Sequence, residues 1–352
     1  MTALRIRGRA LPDGEYVDLY ADGDRWTTDP VPNAELVGEG WLLPGLVDAH
    51  THPGLAEEYG SALDEDLLRE DLHRHVDAGV TAIRVPGLPT DPPDWFGTAP
   101  DVPRAWHAGR WITQHGQYFE GWARRLDHDE MAAEAAAQAL RTGWVKFVVD
   151  WVHEGNPIPV DVLTKAVDAV HRAGGRVAVH SMHASGGEAA VLAGVDSIEH
   201  GMCLDPALLD RMAAQGTALI PTLAMVVAPA DGIRAHAPEG APREWYLRGA
   251  DAHPKLVAQA VEAGVTVLAG TDTRPHGGVA AEIRALVDAG LRPHDALAAA
   301  SWTARTWLGL PGLVPGAPAD AVLYDRDPRT DLSILDTPTA VVLRGRRIRP
   351  RL

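Results

Sequence analysis

Two rhythms alternate along the chain. In the first forty residues, ALRIRGRAL and EYVDLYADG place apolar and polar side chains at alternate positions around Pro and Gly turns. The last forty do the same in ADAVLYDRD and TAVVLRGRRI. A period of two is that of a strand with one face covered. Between these ends, short apolar runs alternate with stretches of helical period. Eight runs are counted: LPGLVDAH (43–50), VTAIRVPG (80–87), RAWHAGR (104–110), WVKFVVD (144–150), RVAVHSM (176–182), SIEHG (197–201), ALIPTL (218–223) and VTVLAGTD (265–272). EDLLREDLHRHVDAG and PVDVLTKAVDAVHRAGG keep the helical period and stop at glycine, as helix C-termini prefer. LPTDPPDWFGTAPDVP is too rich in proline for a helix and is predicted as a loop.

This succession predicts an α/β fold, a (β/α)8 TIM barrel over residues 43–311. Residues 1–42 and 312–352 are predicted to fold together as a small β-sandwich. The alternative is a doubly wound open sheet, and no G-x-G-x-x-G follows an early strand to favour it.

Composition narrows the function classes. Apolar residues make up 46% of 352, enough for a large interior. A net charge of −16 argues against nucleic acid and anionic membranes as partners. The single cysteine, Cys203, excludes an intrachain disulfide framework and a Cys-rich zinc site. Neither MTALRIRGRALPDG nor any later segment has the apolar length of a signal peptide or membrane span, so a cytoplasmic protein is expected. The expected partner is a small-molecule substrate, with a homo-oligomer allowed. Only three of the 32 basic residues are lysines: Lys146, Lys165 and Lys255.

The candidate chemistry lies at the strand ends. His50 and His52, two apart, project from one face of the first run. Lys146 lies within the fourth run; His180, His200 and Asp272 end the fifth, sixth and eighth. Singly, each histidine reads as a hydrogen-bonded polar residue, and the Asp of GTDT as a helix N-cap. Lys146 resists such a reading, because an unpaired ammonium among apolar neighbours costs several kcal/mol. Together the six meet at the C-terminal mouth, where such a barrel carries its active site. Imidazole and carboxylate suit Zn²⁺ and its neighbours. Two such cations side by side repel, and a lysine carboxylated by CO2 would place one oxygen on each.

PGLVDAHTH, AGVDSIEHG, VLAGTD and LVPGAPADAVLYDRDP resemble motifs of the metal-dependent amidohydrolase superfamily over essentially the whole chain. VAVHSMHASGGEAAVLAGVDSIEHG, with WVKFVVDW, is similar more narrowly to the Xaa-Pro dipeptidase and imidazolonepropionase-like branch, on its binuclear side. The resemblance implies two divalent metals, with His50, His52 and Asp272 on the more buried one and His180 and His200 on the other. A carboxylated Lys146 and a hydroxide would bridge them, and Asp272 would carry the proton of amide hydrolysis. The resemblance leaves room for a mononuclear cyclic-amide hydrolase or deaminase, and for a lactonase or esterase. Against deamination, HSMHASGGE carries no glutamate close behind His180. A non-catalytic scaffold is the reading from another class; such proteins lose ligands, and here every ligand candidate is present.

The connection WITQHGQYFEGWARRLD supplies His115, Tyr118, Trp122 and arginines, groups suited to an apolar substrate carrying a carboxylate, such as a dipeptide or N-acyl amino acid. Trp151, His153, His183, Arg274 and His276 are further candidate contacts. His73, His75, His171 and His294 lie in helical patterns, where solvated or capping positions are expected.

Overall fold

The computed structural model describes residues 3–55, 62–151 and 153–348. Seven of the eight runs form strands: Leu46–Asp48, Val80–Val85, Arg104–His107, Trp144–Val148, Arg176–Ser181, Ser197–His200 and Ala218–Ile220. Six of them are buried almost throughout, as parallel strands covered on both faces require, while Arg104–His107 is half-buried. The first pairs with the second, the second with the third, and the fourth to the seventh pair in order, all parallel. The third run breaks at Gly109, resumes at Ile112–Gln114, and there pairs with the fourth through Ile112 and Phe147. The eighth run forms a single bridge, Leu219 to Val267. It then hydrogen-bonds back to the first run, from Ala49 N to Ala269 O (2.8 Å) and from Asp272 N to His50 O (2.9 Å). The packing there is close. A Cβ on Gly270 would lie 2.6 Å from His50 Cβ and 2.5 Å from Ile220 Cγ2. Gly270→Ala is therefore expected to cost about 1–3 kcal/mol by overpacking, read from the urea midpoint.

Both predicted helices form. Glu65–Asp77 starts where the Asp64 carboxylate accepts the amides of Asp66 and Leu67, and it buries Leu68, Leu72 and Val76 at helical spacing. His75 lies on that same face and is fully buried, contrary to the solvated or capping position expected of it. Val160–Arg172 buries Leu163, Ala166, Val167 and Val170. The proline-rich segment 88–103 contains no helix. Among the described residues no helix is long and apolar enough to cross a membrane.

Strands from both chain ends share one seven-stranded sheet. Its long central strand, Glu35–Pro44, pairs in parallel with Leu4–Ala10 and antiparallel with Ala321–Tyr324. The sheet has its own apolar cluster, including Ile6, Leu19, Trp26, Leu42, Leu323 and Val342. Glu35–Pro44 runs two residues past the expected boundary at 42 and leads through Gly45 into the first run.

Candidate metal centre

The first run reaches the mouth pinned to the eighth. Asp48, fully buried, accepts the amide of Thr271 (3.0 Å), its hydroxyl (2.6 Å) and the amide of His50 (3.2 Å). Burial pushes its carboxyl up to about 7 against those donors. This anchorage fixes the backbone on which His50 and Asp272 stand.

The histidine tautomers follow from their partners. His50 Nδ1 lies 2.7 Å from the Glu199 carboxylate, an acceptor only, so Nδ1 carries the proton. His52 Nδ1 lies 3.0 Å from the Gly87 carbonyl and must also donate. Burial holds both rings below the usual histidine range, in the neutral form. Each Nε2 then keeps a bare lone pair, and the two stand 3.2 Å apart. Two lone pairs facing each other repel unless a cation lies beside them. Asp272 completes the set, its oxygens 3.7 Å from His50 Nε2, 3.8 Å from His52 Nε2 and 4.0 Å from His200 Nε2. His200 Nδ1 is held by the Thr222 hydroxyl at 2.8 Å, leaving its Nε2 inward. The His180 ring packs 4.7 Å from that of His200. Ligand atoms of His50, His200 and Asp272 all lie within 4.8 Å of one another. His50, His52 and Asp272 thus approach one another, and Asp272 also reaches toward His200.

Lys146 faces the same space. It is 2% exposed, and its Nζ has no hydrogen-bond partner. Burial brings its amine down to about 7, opposed by Glu199. A bare buried amine beside imidazole lone pairs and a carboxylate is a donor set for divalent cations, and the residues fit that group.

His200, Thr222 and Asp272 adopt left-handed backbone, at φ of 65°, 46° and 46°, an unfavourable conformation for non-glycine residues. Behind them lies a buried polar layer. Glu199 accepts from Arg84 Nη2 (2.8 and 2.7 Å) and Ser197 Oγ (2.6 Å) besides His50. Glu282 accepts the amides of Leu223 (2.9 Å) and Ala224 (2.8 Å), fastening the segment that carries Thr222. Thr222→Val keeps the shape and removes the hydroxyl; metal affinity is expected to fall about 10–100-fold by chelator competition. Unchanged affinity would show that Thr222 does not orient His200.

The six candidate ligands line one cavity of about 480 Å³ with Tyr118, Trp151, Arg274 and His276. His276 is nonetheless bound inward, its Nδ1 to Thr51 Oγ1 at 3.0 Å. Three expected contacts stand outside. His115 is exposed and lies 3.5 Å from Asp127. His183 caps Ala184–Ala193, its Nδ1 accepting the Ser185 amide. His153 also lies away from the cavity, 3.2 Å from Glu154. The arginines of the third connection are engaged elsewhere: Arg124 pairs with Glu134, and Arg125 donates to the carbonyls of Gln117 and Tyr118. Sequence reasoning missed Arg84 and Glu199. Both are charges inside apolar runs, the signal that singled out Lys146.

A family model for the amidohydrolase family matches residues 41–348. The chain belongs to the amidohydrolase family. It is a hydrolase acting on carbon–nitrogen bonds. Along its whole length this amidohydrolase is similar to an uncharacterized protein of Mycobacterium tuberculosis, 40% identical over 99% of this chain and 96% of the relative. A shorter likeness, 31% identical over 47% of this chain and 35% of the relative, is to the ochratoxinase of Aspergillus niger. Among solved structures, a prolidase complexed with N-methylphosphonate-L-proline superposes with a TM-score of 0.84 at 20% identity, covering 99% of this chain and 100% of that one. The A. niger ochratoxinase structure gives 0.82 at 19%, covering 98% and 95%. At such identities these neighbours establish the fold.

Proposed function

We propose that this amidohydrolase is binuclear and cleaves the amide bond of a dipeptide or N-acyl amino acid. The ordered pairing of the eight runs supports a (β/α)8 barrel over 43–311, with a β-sandwich from 1–42 and 312–352. His50, His52, His180, His200 and Asp272 would hold two divalent ions, Zn²⁺ by donor type, with Lys146 between them as a carbamate. The observation that carries this reading is the pair of Nε2 lone pairs 3.2 Å apart beside a buried, unpartnered lysine amine. Such ions would polarise the substrate carbonyl and lower the pKa of water.

The chain's own groups do the rest. Lys146, its amine pKa about 7, offers a lone pair to CO2; an N–C bond forms, one proton leaves, and a carbamate anion remains. Burial raises the Asp272 carboxyl, so it can take a proton from water and return it to the leaving nitrogen. Aromatic rings line one wall of the cavity and give the acyl half of a substrate an apolar surface. A small molecule in the cytoplasm is the proposed partner.

Metal analysis of purified protein, followed by a screen of dipeptides, N-acyl amino acids and lactones, tests this. About two metals per chain and release of an amino acid are expected. Ammonia release with one metal would favour a deaminase, and turnover of lactones alone an esterase-like enzyme.

A further inference from the structure

The wall and the rim of the cavity differ in chemistry. Tyr118, Phe119 and Trp151 are half-buried and meet edge to face, with Tyr118–Trp151 at 4.9 Å and Phe119–Trp151 at 5.1 Å. Trp111 and Trp122, stacked at 5.5 Å, stand in the same cluster. The backbone beneath is already tied down: Arg125 donates from Nη2 to Tyr118 O (2.7 Å) and from Nε to Gln117 O (3.0 Å). A ring cluster built in advance loses little freedom when it receives a flat group.

Arg274 lines the same cavity, two residues beyond Asp272. It is exposed, and its guanidinium has no hydrogen-bond or ion-pair partner among the described residues. The other cationic side chain of the lining, Lys146, is buried at 2% exposure. Among the described lining residues, Arg274 is the cation open to an anion arriving from solvent. In the order of the runs, the aromatic segments follow the third and fourth and Arg274 follows the eighth. In the proposed eight-membered ring these are opposite sides, with the histidines between them.

We infer that the substrate is an N-acyl amino acid with an aromatic acyl group, its ring on Tyr118, Phe119 and Trp151 and its free α-carboxylate on Arg274. This rests on the amide hydrolysis proposed above and fixes its polarity. Asp272 stands on the Arg274 side, so the proton goes to the half that Arg274 holds. Water gives its oxygen to the acyl carbon, the C–N bond breaks, and Asp272 passes a proton to the nitrogen. The products are an aromatic acid and a free amino acid.

The test compares N-benzoyl-leucine, N-acetyl-leucine and N-benzoyl-leucinamide on the metal-replete enzyme. Benzoyl-leucine should exceed the leucinamide by about 100-fold in kcat/KM, mostly through KM, because a charge-assisted pair is lost. Arg274→Met should bring that ratio to within about 3-fold of one, and Trp151→Leu should lower the benzoyl-to-acetyl ratio about 10-fold. Binding of benzoyl-leucine to metal-free protein, followed by tryptophan fluorescence, reads the carboxylate contact without turnover. Arg274→Met should weaken it about 30-fold. Equal affinity in that variant, or a carboxylate preference it retains, overturns the inference while leaving amide hydrolysis standing. A wild type that cleaves dipeptides but none of the three overturns the inference alone; one that cleaves neither overturns the amide reading and the inference with it.

Discussion

Lys146→Ala is expected to lower kcat/KM by at least ~10³-fold and to reduce the metal content from two per chain toward one. The physical reason is charge. In the proposed centre, four neutral imidazoles and one carboxylate would not screen two adjacent dications, and the carbamate would supply the missing anion. The fold should survive, since Lys146 Nζ makes no hydrogen bond that the variant would break. A short carboxylate such as propionate, diffusing into the space left behind, should restore part of both metal content and activity. Full metal content and activity in the unrescued variant would mean that Lys146 is an inert buried amine.

The second large effect concerns stability. Glu199 is fully buried and answers Arg84, Ser197 and His50 together. Glu199→Gln keeps the volume but leaves the Arg84 guanidinium without its counter-charge, between the rings of Trp144 and Trp307 at 5.2 and 5.3 Å. Removing one partner of a buried ion pair costs about 3–5 kcal/mol, so the urea midpoint should fall steeply. The double variant Arg84→Met, Glu199→Gln should recover much of that loss, a coupling that independent sites would not show. The pH dependence has a definite sign. Burial would raise the Glu199 carboxyl, but Arg84, Lys146 and His50 hold it well below its ordinary 4.5. The folded state therefore takes up this proton at lower pH than the unfolded chain. Its contribution is complete above pH 4.5 and is lost only as pH falls through the depressed folded value. A wild type and Glu199→Gln with the same midpoint would contradict the ion pair's role.

What could be read from the chain follows from how locally each feature is determined. His50, His52, His180, His200 and Asp272 end apolar runs, and the period of a strand fixes the end at which they emerge. Lys146 was legible because a charge inside a buried run needs a reason. The same reasoning applies to Arg84 in TAIRVPG and Glu199 in SIEHG, which bond each other across 115 residues. Neither discloses its partner, because pairing between non-neighbouring strands leaves no trace in a window of residues. His75 shows the limit of helical periodicity: the pattern gives its face, but not the Thr51 hydroxyl 3.1 Å away that satisfies its Nε2. The loop residues were least legible. His115, His183, Arg124 and Arg125 depend on turns such as Tyr118, held at φ 58°. A composition rich in arginine does not reveal that Arg124 pairs with Glu134 and Arg125 holds backbone carbonyls while Arg274 lines the cavity.

The most direct measurement is anomalous diffraction from crystals grown with zinc and bicarbonate. Two zinc peaks within the cluster of His50, His52, His180, His200 and Asp272, joined by density continuous with Lys146 Nζ, are expected. A single peak, or a bare lysine amine beside a fully loaded site, would contradict the shared-carbamate centre.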